Sequence, residues 1–94
     1  MTYMVVRHKV EEYAAWKSVF DEHAATRKAM GGKGYLLLRN ADNTNELLIL
    51  LELDDLNKAR EFAGSQDLRE TMARAGVADE PDIYFCETLE HKPS

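Results

Sequence analysis

This chain contains one cysteine, no cluster of basic residues and no long apolar run, and each absence argues against a class of protein. Cys86 is the only cysteine among 94 residues, so no disulfide forms within the chain. The net charge is −5 with no stripe of lysine or arginine, which argues against nucleic-acid binding. No apolar run approaches the about 20 residues that a membrane-spanning helix needs. Arg7 interrupts the N-terminus too early for a signal peptide, so we expect a cytoplasmic protein.

Motifs for metals, phosphates and nucleophilic serine are also missing. The histidines at positions 8, 23 and 91 lack metal-ligand spacing, and no carboxylate triad accompanies them. The stretch Gly31–Gly34 follows a predicted helix and lacks the spacing of a phosphate loop, and no GxSxG occurs. We therefore expect neither a metal nor a tightly held cofactor.

The length and composition predict one folded domain that spans residues 1–94. Hydrophobic residues make up 45% of the chain and charged residues 31%, which is enough apolar material for a core and argues against disorder. Domains cluster at about 100–150 residues, so a second domain is not expected.

The segment Glu46–Leu53 is the most informative part of the chain. Apart from Glu46 and Glu52 it consists of leucine and isoleucine, so both faces of the predicted strand are apolar. A strand with one wet face shows alternation instead, whereas a continuous apolar run indicates that both faces are covered. A chain of this length has helices for one face only. The other face is therefore predicted to pack against a second copy of the chain.

The remaining elements follow from periodicity and from turn residues. A helix is predicted over Glu11–Met30, where apolar residues recur every 3.6 positions until Gly31-Gly32. Asp54 or Asp55 caps a helix that ends at Gly64, and Ser65 caps a further helical piece. That further helix is predicted over Gln66–Ala75, and a polar turn over Ala41–Asn45. The four strands are predicted at Thr2–Val10, Gly34–Asn40, Glu46–Leu53 and Asp82–Leu89.

This order is βαββαβ, an α+β arrangement of the ferredoxin-like type. Right-handed crossovers place both helical segments on one face of a four-stranded antiparallel sheet. Tyr3, Val5, Tyr35, Leu37 and one row of the third strand are expected on the open face. Because monomers rarely expose an apolar patch of that size, we predict a homodimer through this face.

Three stretches of the chain resemble a known family. Arg39–Leu56 (RNADNTNELLILLELDDL), the KAREFAGSQDLRETMARAGV that begins at Lys58, and the earlier RHKVEEYAAWKSVFDEH are similar to dimeric α/β-barrel proteins of the antibiotic-biosynthesis-monooxygenase type, including cyclase-like members. The resemblance covers nearly the whole chain and implies a ferredoxin-like protomer that dimerises into an α/β barrel. The superfamily includes cofactor-free oxygenases, isomerases and haem-degrading enzymes. The haem-degrading relatives bind iron through a histidine on the second helix, and Asp54–Ala75 has none, so haem is not expected.

Two histidines are the candidate catalytic residues. His8 shares its strand face with Met4, Val6 and Val10, so it points toward the helices and could act as a general base. The alternative is a histidine that hydrogen-bonds a carbonyl or water. His23 lies two turns beyond Trp16 and could border the same space, although a partly exposed histidine without a role is the simpler interpretation.

Aromatic and cationic residues complete the predicted site. Trp16 would suit a flat aromatic ligand across the gap from His8, although aromatics at this spacing are more often core residues. Arg27 and Arg39 could bind an anionic group, with a salt bridge to a glutamate as the alternative. Cys86 is interpreted as a small buried filler. The predicted ligand-binding set is Tyr13, Trp16, Phe20, Arg27, Arg39, Phe62 and Tyr84.

Three functions remain open at this point. The first is a small enzyme without a metal or cofactor, an oxygenase or a cyclase that acts on a small aromatic or polyketide-like molecule. The second is a non-catalytic dimer that binds small hydrophobic ligands in an apolar pocket. The third is a structural dimerisation module without a pocket.

Overall fold

Within residues 1–93, four strands and four helices follow one another in the predicted βαββαβ order, with each crossover built from two short helices. The computed structural model describes residues 1–93, so Ser94, the last residue of the predicted domain, lies outside it. The elements are β1 (Thr2–Lys9), α1 (Tyr13–Glu22), α2 (Ala24–Ala29), β2 (Gly32–Asn40), β3 (Asn43–Leu53), α3 (Leu56–Ala63), α4 (Gln66–Arg74) and β4 (Asp82–Glu87).

The strands form one antiparallel sheet in the order β2-β3-β1-β4. The helical crossovers connect β1 to β2 and β3 to β4, so each joins a central strand to an edge strand and passes over the other central strand, which is the ferredoxin-like topology. The fold class predicted from the sequence is therefore confirmed.

The predicted helix Glu11–Met30 is interrupted at His23. His23 has φ −82° and ψ 1°, outside the helical range, and α2 begins at the next residue. Its backbone N–H still donates to the carbonyl of Val19, and its own carbonyl accepts from Arg27, both at 3.1 Å. The apolar period is the same on both sides of the break, so the sequence pattern did not reveal it. Gly31, with φ +91°, ends α2 as predicted from the glycine pair.

The hairpin between β2 and β3 is tighter than predicted. The five-residue connection is wrong, because β2 extends to Asn40 and β3 begins at Asn43, leaving two residues between them. Asparagine is rare in strands, which made Asn43–Asn45 resemble a loop. Here the Asn40 side chain accepts the backbone N–H of Asp42 at 2.8 Å, and Asn43 accepts that of Asn45 at 3.1 Å. The last strand also ends at Glu87, two residues before the predicted end.

Both predicted capping residues of the second crossover are present. The Asp55 carboxylate accepts the backbone N–H of Lys58 at 2.8 Å at the start of α3. The Ser65 hydroxyl accepts the N–H of Leu68 at 3.1 Å at the start of α4. Each cap satisfies a donor that the helix leaves unpaired and stabilises it by about 1 kcal/mol.

The core lies between the sheet and the four helices. The helix-facing residues Leu47, Ile49, Leu51 and Leu53 of β3 are buried, as are Met4, Val6 and His8 of β1. Leu48 and Leu50 lie on the opposite face, so β3 has apolar side chains on both faces of the sheet. The principal core residues are Met4, Val6, Val10, Trp16, Leu47, Ile49, Leu51, Leu53, Ala59, Phe62 and Leu68.

The opposite face of the sheet carries a continuous apolar row across all four strands. In this row Leu36 pairs with Leu50, Leu50 with Val5, and Val5 with Tyr84. Leu36 is 55% exposed and Tyr84 59% exposed in the single chain. On one side of this row Arg7 and Asp82 form an ion pair at 2.7 Å. The open face therefore has an apolar centre and a charged margin.

Two predicted members of the open face lie on the helix side instead. Tyr35 pairs with Leu51, and Leu37 pairs with Ile49, so both point toward the helices. The face of an edge strand depends on its register with the neighbouring strand, and β2 is apolar on both faces, so its sequence did not distinguish them. Cys86 is likewise exposed on the open face of the chain rather than buried.

Candidate functional site

A cavity of about 50 Å³ lies between the sheet and helices α1, α2 and α4. Such a volume holds a few water molecules, and it is well below the roughly 300–1,000 Å³ typical of pockets for drug-sized ligands. Its wall is mainly apolar, with histidine, threonine and arginine among the lining residues: Val6, His8, Trp16, Phe20, His23, Arg27, Ile49, Leu51, Leu68, Thr71, Met72 and Ala75.

His8 is the most unusual residue of this cavity. The β1 strand places it on the helix side, next to Leu47 of β3, and only 2% of its surface is exposed. Neither Nδ1 nor Nε2 has a hydrogen-bond partner among residues 1–93. Burial lowers the pKa of His8 from its ordinary 6.5 to about 4, against a small opposing effect of Asp79. His8 is therefore a neutral imidazole at pH 7, with a buried donor and a buried acceptor that no other described residue satisfies.

A ladder of aromatic rings forms the wall that faces His8. The Trp16 ring meets His8 edge-on with centroids 5.7 Å apart, and Phe20 stacks on Trp16 at 4.8 Å with an interplanar angle of 19°. Phe20 in turn meets Tyr35 edge-on at 4.9 Å. α1 presents Trp16 and Phe20 about one turn apart, so these two rings stack on each other in the gap between helix and sheet.

The second histidine has a carboxylate partner that the sequence did not indicate. His23 Nε2 lies 2.7 Å from Oδ2 of Asp67, which belongs to the first turn of α4. The His23 ring is buried and stacks on Phe62 with centroids 5.9 Å apart. When the carboxylate accepts the Nε2 proton, Nδ1 carries the lone pair, so the pair resembles the histidine–carboxylate arrangement that orients catalytic bases.

Arg27 lies at the mouth of the cavity without an acidic partner in the described part of the chain. Its guanidinium sits 3.8 Å above the Phe20 ring and 5.6 Å from that of Tyr35, and Nη1 donates to the Phe20 carbonyl at 2.6 Å. Burial lowers the pKa of Arg27 from its ordinary value. The alternative interpretation, a salt bridge between Arg27 and a glutamate, is therefore not found among residues 1–93.

The remaining predicted ligand-binding residues lie outside the cavity wall. Tyr13 lies beyond Trp16, with Arg39 at 4.6 Å above its ring, in a separate shallow depression. Phe62 is buried behind His23. Tyr84 is on the opposite face of the sheet, because it pairs with Val5 rather than with a residue that faces the helices. The structure thus brings together His8, Trp16, Phe20, His23 and Arg27.

Thr71 and Asp67 are the polar residues of the site that sequence reasoning missed. Both belong to α4, where Thr71 and Leu68 line the cavity and Asp67 contacts His23. Leu68 and Thr71 are one turn apart and fall on the same face of the helix. That spacing is visible in the sequence, but nothing in the sequence shows that this face meets His23.

Residues 1–93 contain neither a cluster of metal ligands nor a helix that could span a membrane. No group of three histidine, cysteine or acidic side chains there is arranged to hold a metal ion. None of the helices there is both long enough and apolar enough to cross a bilayer.

Solved structures with the same fold cover almost the entire chain. An antibiotic biosynthesis monooxygenase-like protein from Bordetella bronchiseptica superimposes with a TM-score of 0.80 over 95% of this chain and 97% of its own, at 13% identity. SnoaB, a cofactor-independent oxygenase from Streptomyces nogalater, gives 0.77 over 99% and 97%, at 20% identity. Rv0793 from Mycobacterium tuberculosis gives 0.70 over 98% of each chain, at 16% identity.

No protein-family model matches this chain, and no curated protein matches it significantly. The structural likeness nevertheless confirms the fold that the sequence resemblance implied. The chain has the α+β ferredoxin-like fold of the antibiotic biosynthesis monooxygenase proteins. At these identities the likeness defines the architecture, and the chemistry has to be argued from the site.

Proposed function

We propose that the protein is a cofactor-free enzyme, of the monooxygenase or cyclase type, that removes a proton from a small phenolic or enolisable aromatic molecule. One observation carries this proposal: His8 is neutral and buried in an apolar cavity beside Trp16, and neither of its ring nitrogens has a partner within residues 1–93. Burying such a group without partners costs about 1–3 kcal/mol, which folding alone gives no reason to accept. A ligand that donates to or accepts from His8 supplies the missing partner.

Because the pKa of His8 is low, a proton that His8 accepts from the substrate is readily returned to it. An isolated imidazolium is unstable in this apolar position, because burial disfavours the charged form. When His8 removes the proton of a bound substrate, the substrate anion lies beside the new imidazolium and stabilises it. The same proton is then available for a later step, which suits an oxygenase or an isomerase.

The oxygenase reaction balances without a cofactor. His8 takes a proton from an activated CH₂ group, and the carbanion transfers an electron to O₂. Recombination gives a substrate peroxide anion, to which the imidazolium returns the proton. Loss of water then forms the ketone, so that R₂CH₂ + O₂ gives R₂CO + H₂O. Structural similarity to SnoaB, a cofactor-independent oxygenase, supports this branch of the proposal. A cyclase or isomerase needs the same base and no oxygen.

His23 and Asp67 form the second polar group of the site. The proposal assigns them a positioning role at the far end of the cavity, since Asp67 is exposed and occupies one ring nitrogen of His23.

The alternative function is non-catalytic binding of small hydrophobic ligands. The mainly apolar wall supports it, whereas two histidines, Thr71 and Arg27 on one small cavity support chemistry.

The proposed enzyme is a homodimer in which the open sheet faces of two protomers pack together. The apolar row from Leu36 through Leu50 and Val5 to Tyr84 supports this assembly, because it crosses the whole sheet and is matched by an identical row in a second copy. The cavity lies on the other side of the sheet, so each protomer keeps its own site.

Hydrogen exchange at a substrate carbon tests the base directly and without oxygen. Anaerobic incubation in D₂O with anthrone, followed by mass spectrometry, should show enzyme-dependent deuteration at the CH₂ group. His8→Gln, which keeps the hydrogen-bonding capacity but is a poor base, should reduce exchange about 10²-fold or more. His91→Gln, in the exposed tail, is the control and should have no effect. Wild-type exchange in the His8→Gln variant would make the base assignment wrong.

Oxygen uptake then separates the two enzyme types. A panel of substrates with an activated CH₂ group and one, two or three rings (phenylacetone, 2-tetralone and anthrone) should show uptake above the uncatalysed rate for an oxygenase, and exchange without uptake for a cyclase. Because a cavity of about 50 Å³ is too small for even one aromatic ring, entry of any of these substrates requires side chains such as the flexible Met72 to move aside, and the panel also measures the size that the site accepts. Binding without exchange or uptake would favour the non-catalytic binder.

A further inference from the structure

A cationic groove adjoins the cavity at Arg27. Arg27 and Leu51 line both spaces, and the groove continues along α2 and the start of β2 past Lys28 and Lys33. Lys33 is paired with Asp54 at 3.1 Å, and Lys28 has no carboxylate within ion-pair distance among residues 1–93. In a protein of net charge −5, this local excess of positive charge is a distinct electrostatic feature.

Arg27 differs from the arginines that have structural ion pairs. Arg7 contacts three carboxylates and Arg74 contacts Glu22. Arg27, although partly buried, uses one donor on the Phe20 carbonyl and otherwise lies against aromatic faces. A guanidinium has five N–H donors in a planar fork that matches a carboxylate. Arg27 therefore retains donors for an anionic group that reaches the junction of cavity and groove.

We propose that the ligand of this site is an aromatic acid, whose ring enters the cavity beside Trp16 and Phe20 and whose anionic group is bound by Arg27. This inference rests on the proposed function and names the substrate class for the same cavity. The Trp16 and Phe20 side chains line the apolar space for the flat part of the ligand, and the fork of Arg27 receives the anion at the mouth. Placed there, the anionic group is held away from His8, which stays free to act on the ring.

A matched pair of probes measures the recognition of the charge. Salicylate and its uncharged analogue salicylamide are titrated separately into the ¹⁵N-labelled full chain, and binding is followed by NMR shifts that include the Trp16 indole N–H. A charge-assisted hydrogen bond is worth about 1.5–3 kcal/mol, so salicylate should bind about tenfold or more tightly than salicylamide. Equal affinity of the two probes, or no binding of either, would overturn the proposal.

Two variants of Arg27 and one control locate the effect. Arg27→Met keeps an apolar stem over Phe20 and removes the charge, and Arg27→Gln is the second neutral variant in case the first does not fold. Both should abolish the preference for salicylate. Arg39→Met is the matched control, because Arg39 also lies over an aromatic ring but lines a separate depression, and it should keep the preference. A preference that survives in the folded Arg27 variants would refute the assignment.

Failure of this inference is distinguishable from failure of the proposed function. If salicylate and salicylamide bind equally well at the Trp16 indole while the deuterium exchange of anthrone still depends on His8, only the anion-binding role of Arg27 is wrong. Charge-selective binding that depends on Arg27, together with unchanged exchange in His8→Gln, removes only the proposed base.

Discussion

Replacing His8 by leucine should make the protein more stable at pH 7 while it abolishes the proposed proton transfer. Leucine has a similar volume and no polar atoms, and His8 is surrounded by apolar neighbours such as Leu47 and Trp16. The substitution removes a buried imidazole whose two nitrogens have no partner among the described residues. Removing such unsatisfied groups should raise the free energy of unfolding by about 1–3 kcal/mol.

The pH dependence of this gain follows from the pKa of His8. Its pKa is 6.5 unfolded and about 4 folded, so between these values the unfolded chain binds the additional proton. The protonation of His8 therefore does not reduce the stability of the wild-type protein above pH 6.5, and it lowers the free energy of unfolding progressively as the pH falls toward 4. A shift of this size corresponds to about 3 kcal/mol. The leucine variant lacks this loss, so its advantage should grow by about that amount from pH 7 to pH 4.

Urea unfolding followed by circular dichroism measures both effects. Wild type and His8→Leu are compared at equal protein concentration at several pH values between 4 and 7, since a dimer unfolds in a concentration-dependent way. His91→Gln serves as the control for a histidine in the exposed tail and should follow the wild type. A leucine variant less stable than wild type at pH 7, or a stability difference that does not change with pH, would refute the account of His8 as an unsatisfied neutral base.

Two further predictions concern assembly and local structure. Leu50→Lys places a charge at the centre of the open face, between Leu36 and Val5, and should shift sedimentation from dimer to monomer; an unchanged dimer would mean that another surface is used. Ser65→Ala removes the cap of α4 and should lower the free energy of unfolding, measured by urea titration, by about 1 kcal/mol. Unchanged stability would mean that the hydrogen bond from the Leu68 N–H to the Ser65 hydroxyl does not stabilise the helix.

The candidate site was predictable only where strand and helix periods define a face. Alternation along β1 placed His8 with Met4 and Val6 beneath the helices, and the helical period placed Trp16 and Phe20 opposite them. Asp67 was not predictable as the partner of His23, because the 44-residue separation is closed only by the packing of α4 against the break after α1. Tyr84 was assigned to the ligand-binding set although it lies on the other face of the sheet, since its side depends on strand register.

The sequence by itself determined the order of elements, the helix caps and the apolar character of both faces of β3. These properties depend on residues close together in the chain, whose periodicity and capping chemistry act locally. Tertiary structure alone decided which face Tyr35 and Leu37 occupy, that His8 is buried without a hydrogen-bond partner among residues 1–93, and that Arg27 borders both cavity and groove. Those outcomes depend on register and on the packing of distant segments, because desolvation and long-range contacts exist only once the helices cover the sheet.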